Sequence, residues 1–237
     1  DNSFIVMNFG INSKKSDFGG NLLVYNLLFS SAICKAAGNI ISKRTSQSFT
    51  NLYSTTIKSL IDIPEPKLFS KKITTKFNES TPSFSKNGKT MYFTQTEIDK
   101  KNRGKAVNKG SFKIYKTELV NGSWSTPIKI QIEVDQLSKI AHPALSSDEK
   151  YLYFVSDMPG TLGLSDIFKV EILSENTFSN PINLGKSINT EGRETFPFIS
   201  ADNELYFASD GRPGLGGLDV FVSTILEDAT FDEVQNI

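Results

Sequence analysis

One phrase returns three times along this chain, and its return constrains the fold more than any single residue. It runs Thr81-Pro82-Ser83-Phe84-Ser85-Lys86-Asn87-Gly88-Lys89-Thr90-Met91-Tyr92-Phe93, then His142-Pro143-Ala144-Leu145-Ser146-Ser147-Asp148-Glu149-Lys150-Tyr151-Leu152-Tyr153-Phe154. It closes as Phe196-Pro197-Phe198-Ile199-Ser200-Ala201-Asp202-Asn203-Glu204-Leu205-Tyr206-Phe207. Pro82, Pro143 and Pro197 lie 61 and 54 residues apart. A period near fifty belongs to repeat architectures, whose units bury a core only by stacking on their neighbours.

Within each unit the order is constant. A short Pro-led strand meets a turn built on Asn87-Gly88, Asp148-Glu149 or Asp202-Asn203, residues that tolerate left-handed backbone. An aromatic strand follows (Thr90–Thr94, Tyr151–Ser156, Glu204–Ser209), and after a longer loop a third (Phe112–Thr117, Asp166–Val170, Asp219–Ser223). A fourth follows an aromatic: Trp124 to Ile130, Phe178 to Leu184, Phe231 to Ile237. Tyr115, Phe168 and Phe221 are each 53 residues apart. Period-two alternation in short segments excludes a helical solenoid, and four strands per unit is the content of a propeller blade.

The fold class read from this pattern is all-β: a β-propeller of four-stranded antiparallel blades, four of them visible, expected to belong to a larger propeller. The blades span approximately 13–73, 77–133, 138–187 and 192–237, and residues 1–12 are a strand from a preceding or closing blade. The first blade is the weakest: Ser16-Asp17-Phe18-Gly19 stands where a Pro-led strand should begin.

Composition narrows function by exclusion. Lys+Arg and Asp+Glu both number 26, so a general nucleic-acid footprint is absent. Cys34 is the only cysteine, which rules out an intrachain disulfide, and no run of eighteen apolar residues could span a bilayer as a helix.

The phrase Pro-x-x-Ser-x-Asp/Asn-Gly-x-x-Leu/Met-Tyr-Phe resembles the WD-repeat-like propellers of the TolB type. Ser209-Asp210-Gly211-Arg212-Pro213-Gly214-Leu215-Gly216-Gly217-Leu218-Asp219-Val220-Phe221 is similar to a Ser-Asp-Arg-x-Gly-Gly-x-Gly-x-x-Asp-Ile-Tyr signature found in OmpA-family envelope proteins of the Bacteroidetes. Ser156-Asp157 through Asp166-Ile167-Phe168 repeats it, and Asn8-Phe9-Gly10-Ile11-Asn12-Ser13-Lys14-Lys15-Ser16-Asp17-Phe18-Gly19 looks like the opening of the same propellers. The resemblance implies a non-enzymatic binding or scaffolding propeller, in the periplasm and associated with the outer membrane. Other envelope proteins are its expected partners, and some relatives serve type IX secretion. Peptidoglycan would be reached only through a further domain. The alternative is a ligand-sensing or substrate-filtering propeller attached to a hydrolase or peptidase.

Asp157 and Asp166 bracket one Gly-rich loop, and Asp210 and Asp219 bracket another. Two carboxylates per loop under-coordinate calcium, so the reading assigns no metal and has each Asp accept backbone amides; were a cation held, these four would hold it. His142 is the only histidine and sits where sister units have Thr81 and Phe196, which points to packing. With its one histidine read as packing and no nucleophile elbow, no hydrolytic triad can be built, and His and Cys are too few for a zinc set, so no catalytic residue and no cofactor is expected. Glu79, Glu191 and Glu194 stand before the Pro-led strands, where polar residues are ordinarily solvated or capping. The loop between the second and third strands of blade two carries Lys100, Lys101, Arg103, Lys105 and Lys109. It is the candidate docking patch for an acidic partner.

Overall fold

The computed structural model describes residues 10–23, 25–33, 46–58, 63–97, 111–135 and 137–237. Among these there is no helix, and eighteen strands form four antiparallel sheets. The first holds β1 (Asp17–Leu23), β2 (Asn26–Ser31), β3 (Asn51–Thr56) and β4 (Lys67–Leu68). The second holds β5 (Glu79–Phe84), β6 (Thr90–Glu97), β7 (Ser111–Val120), β8 (Ser123–Trp124) and β9 (Ile128–Lys129). The third holds β10 (Ile140–Leu145), β11 (Tyr151–Ser156), β12 (Asp166–Ser174), β13 (Thr177–Phe178) and β14 (Ile182–Asn183). The fourth holds β15 (Glu194–Ile199), β16 (Glu204–Ser209), β17 (Asp219–Thr224) and β18 (Gln235–Asn236). They are four blades of a β-propeller, with β1, β5, β10 and β15 innermost.

The repeated serine of the phrase closes each inner hairpin. Ser85, Ser146 and Ser200 accept from the amides of Thr90, Tyr151 and Glu204 at 2.9, 2.9 and 3.1 Å. The repeated proline has an equally local cause. In every innermost strand the register slips so that two residues oppose one: 81–82 oppose Phe93, 142–143 oppose Phe154, and 196–197 oppose Phe207. The second residue of such a bulge has no ladder partner for an N–H, so proline fits there. The first adopts left-handed backbone, with φ 48° at Thr81, 54° at His142 and 51° at Phe196; the first sheet uses Gly19 at 63°.

Aromatic pairs fill the seams. Phe93 packs with Leu28 and Leu52 of the first sheet, while Tyr92 packs toward Phe154 and Phe168 of the third. Tyr153 in turn joins Leu205, Phe207 and Phe221 of the fourth. Alternation predicts one buried ring per pair; in the middle sheets both are buried, because both faces are covered. The outermost strand also departs from expectation. In sheets two and three it is two short pieces, β8 with β9 and β13 with β14, separated by Pro127 and Pro181, which cannot donate to the ladder.

Candidate functional site

The ends of β2, β6, β11 and β16 pair with the starts of the innermost strands β1, β5, β10 and β15. Lys100, Lys101, Arg103, Lys105 and Lys109 lie outside the described residues, as do Cys34 and residues 1–9. The two Gly-rich loops are described throughout. Asp166 is fully buried and accepts from Leu162 N (2.7 Å), Gly163 N (3.3 Å) and Asn183 Nδ2 (2.7 Å). Asp219 accepts from Gly216 N at 3.1 Å. Asp157 and Asp210 turn instead to the start of the innermost strand. Asp157 takes Lys139 N (2.7 Å) and Nζ (2.5 Å), and Asp210 takes Arg193 N (2.6 Å) and its guanidinium (2.8 Å). The Arg193 amide, then its side chain, holds Asp210 below the usual carboxylate range. The four carboxylates therefore serve four separate hydrogen-bond sets, and no group of three or more metal-ligating side chains occurs among the described residues.

These loops form a rigid shelf. Ser165 bridges Arg193 in parallel, Leu164 N donates to Gly192 O at 2.8 Å, and Glu194 N donates to Ser165 O at 2.9 Å. The approach is so close that a Cβ on Gly163 would lie 2.4 Å from Gly192 O, and one on Gly192 would lie 2.6 Å from Asp210 Oδ1. From this shelf Leu164 and Leu215 project, 59% and 99% exposed.

Sequence reasoning has Glu79, Glu191 and Glu194 solvated or capping; Glu191 is exposed, whereas Glu79 and Glu194 are fully buried and bonded to the turn before them. Glu194 accepts from Thr190 N (2.8 Å), Thr190 Oγ1 (2.6 Å) and Ser209 Oγ (2.7 Å). Asp17, its counterpart in the first sheet, accepts from Ser13 N (2.6 Å) and Ser31 Oγ (2.5 Å). The overlooked signal is a hydroxyl four residues earlier: Ser13 before Asp17, Thr75 before Glu79, Thr190 before Glu194. Glu79 keeps the Thr75 hydroxyl at 2.5 Å on Oε1, but its Oε2 is buried without a partner. Burial raises its pKa to about 7 against the opposing Thr75 bonds.

The innermost strands surround an axial cavity of about 560 Å³. Its floor is a side-chain relay through all four sheets. Phe18 meets Phe196 edge-on at 5.8 Å between centroids, Phe196 lies 4.3 Å from the His142 ring, and His142 Nδ1 is 3.3 Å from Thr81 Oγ1. Burial lowers the His142 pKa to about 4, so the ring is neutral at physiological pH.

No described protein family matches the sequence, and no curated protein does. Solved structures do. The chain is similar to a TolB protein from Agrobacterium tumefaciens at 17% identity, covering 90% of this chain and 60% of that one, with a TM-score of 0.51. It is a TolB-like β-propeller in fold. A protein of unknown function from Dyadobacter fermentans matches over 90% of this chain and 61% of its own, at 10% identity and TM-score 0.51. A puromycin hydrolase matches over 95% of this chain and 40% of its own, at 9% identity and TM-score 0.52. The chain thus spans about three fifths of the first structure's length and two fifths of the hydrolase's.

Proposed function

We propose that this propeller is a non-enzymatic binding and scaffolding module of the cell envelope. It is part of an OmpA-family-like envelope protein, works in the periplasm associated with the outer membrane, and its partners are other envelope proteins. The type IX secretion machinery is one such assembly to test. The observation that carries this reading is the loop-face shelf. Leu164, held out into water by a loop packed against Gly192, is a preformed anchor for a protein surface that costs little ordering on binding, and Leu215 stands exposed on the Gly-rich loop of the fourth sheet. The sequence resemblance and the TolB-like fold support the compartment.

The test is cross-linked capture from an envelope fraction, with mass spectrometry of the captured proteins. Chains carrying Leu164→Ser with Leu215→Ser, or Lys100, Lys101, Arg103 and Lys105 all changed to Ser, are compared with the parent. The reading expects specific envelope proteins with the parent and their loss with one or both variants. The same proteins captured equally by all three would overturn the loop face as the docking surface.

A further inference from the structure

The floor of the axial cavity has features that packing alone does not require. In the first sheet the bulge is made by Gly19, which adopts left-handed backbone without strain. The other three sheets place Thr81, His142 and Phe196 there, side chains for which that conformation is costly. All three line the cavity.

One proton arrangement gives every hydroxyl around His142 an acceptor. Thr94 Oγ1 accepts from His142 N at 2.8 Å and lies 2.8 Å from Thr81 Oγ1, which is 3.3 Å from His142 Nδ1. Either hydroxyl of the Thr81–Thr94 pair can donate to the other; when Thr94 donates, its proton finds an acceptor in Thr81 Oγ1. In that arrangement Thr81 gives its own proton to Nδ1, and the imidazole proton resides on Nε2. No hydrogen bond is made by Nε2 among the described residues, and it is not among the buried unpartnered atoms. In this tautomer it is an N–H donor on a residue lining the cavity. Beside it the Phe196 ring is 37% exposed.

We propose that this floor binds a small uncharged ligand carrying a planar apolar ring and a carbonyl-type oxygen. The ring lies against Phe196, and the oxygen accepts from His142 Nε2–H. An ionic ligand is disfavoured because it would lose its hydration where no opposite charge compensates. The charged side chains lining the cavity, Lys86 and Glu149, belong to the hairpin turns at its other end. Burial holds the ring neutral across the physiological pH range, so the floor presents no charge of its own. This site is independent of the loop face.

The chain's single histidine makes the test direct. Long-range proton–nitrogen NMR of the ¹⁵N-labelled chain reads His142 alone. The free protein should show the Nε2–H tautomer. Benzamide, neutral and bearing a carbonyl, should shift the Nε2 signal saturably. Toluene, with no acceptor, and benzoate and benzylamine, both charged, should bind on the order of tenfold more weakly or not at all. His142→Phe is a change the fold accommodates at the sister position Phe196. By calorimetry it should reduce benzamide to the level of toluene, and Phe196→Ala should weaken both. An Nδ1–H tautomer, no saturable shift with benzamide, or equal binding of all four probes would overturn the proposal.

Discussion

Glu79 faces Gln95 across the β5–β6 ladder, where Glu194 faces Ser209 and Asp17 faces Ser31 in their own sheets. The serines donate to their carboxylates, whereas Glu79 Oε2 has no partner. The consequence is a pH dependence of known sign. The folded chain binds a proton at Glu79 up to a pKa of about 7, against an ordinary value of 4.5. Stability from this group is therefore full below about pH 4.5 and is lost as pH rises through 7, by about 3 kcal/mol. Denaturant melts between pH 5 and 8 should show that decline. Glu79→Gln should flatten it and be the more stable form at pH 8. Gln95→Ser should shrink it by supplying the missing donor. A Glu79→Gln chain with the parent's pH profile would contradict the assignment.

Phe154 and Phe207 are the most enclosed rings of their sheets, at 0% and 1% exposure. Replacing either with Ala removes a ring from a packed seam and should cost about 3–5 kcal/mol in a denaturant melt. Tyr206, on the less covered face of the fourth sheet and bonded through its hydroxyl to Glu204, should cost clearly less. Equal losses at Phe207 and Tyr206 would mean that the burial of the two faces is misassigned.

Asp166 and Asp219 hold equivalent loops with unequal sets of bonds. Asp166→Ala orphans three donors around a buried site and should destabilise by about 2–4 kcal/mol. Asp219→Ala loses one long bond and should cost under about 1 kcal/mol. Chelator should leave the melting temperature of the parent chain unchanged. A chelator-sensitive melt abolished by Asp219→Ala would instead establish a cation site.

Gly192 sits where the loops of the third and fourth sheets converge. Ala there would place Cβ 2.6 Å from both Asp210 Oδ1 and the Gly211 backbone. Backbone cannot yield as a flexible side chain can, so about 1–3 kcal/mol should be lost. Partner capture through Leu164 and Leu215 should weaken with it if the rigid shelf presents those leucines. Unchanged stability would show that the loops are not tightly apposed.

The blades were legible because their causes are local. Alternation, the left-handed turn residues and the hairpin-closing Ser85, Ser146 and Ser200 act within a few residues of one another, so the chain states them directly. Proline inside each strand also carried a message, a bulge opposite Phe93, Phe154 and Phe207, which alternation alone does not reveal. The candidate sites were legible only in part, since the Gly-rich loops and their aspartates announce themselves by type and spacing. Only the tertiary structure decided that Glu79 and Glu194 are buried and that His142 stands on the axial floor. Those outcomes depend on which sheet covers which: Thr81 N reaches Ser30 Oγ across 51 residues, and His142 reaches Thr81 across 61. Burial, and with it charge state, follows from neighbours brought together by stacking the blades; the hydroxyls at Thr75 and Thr190 mark a hydrogen bond to Glu79 and Glu194 but not the burial around it.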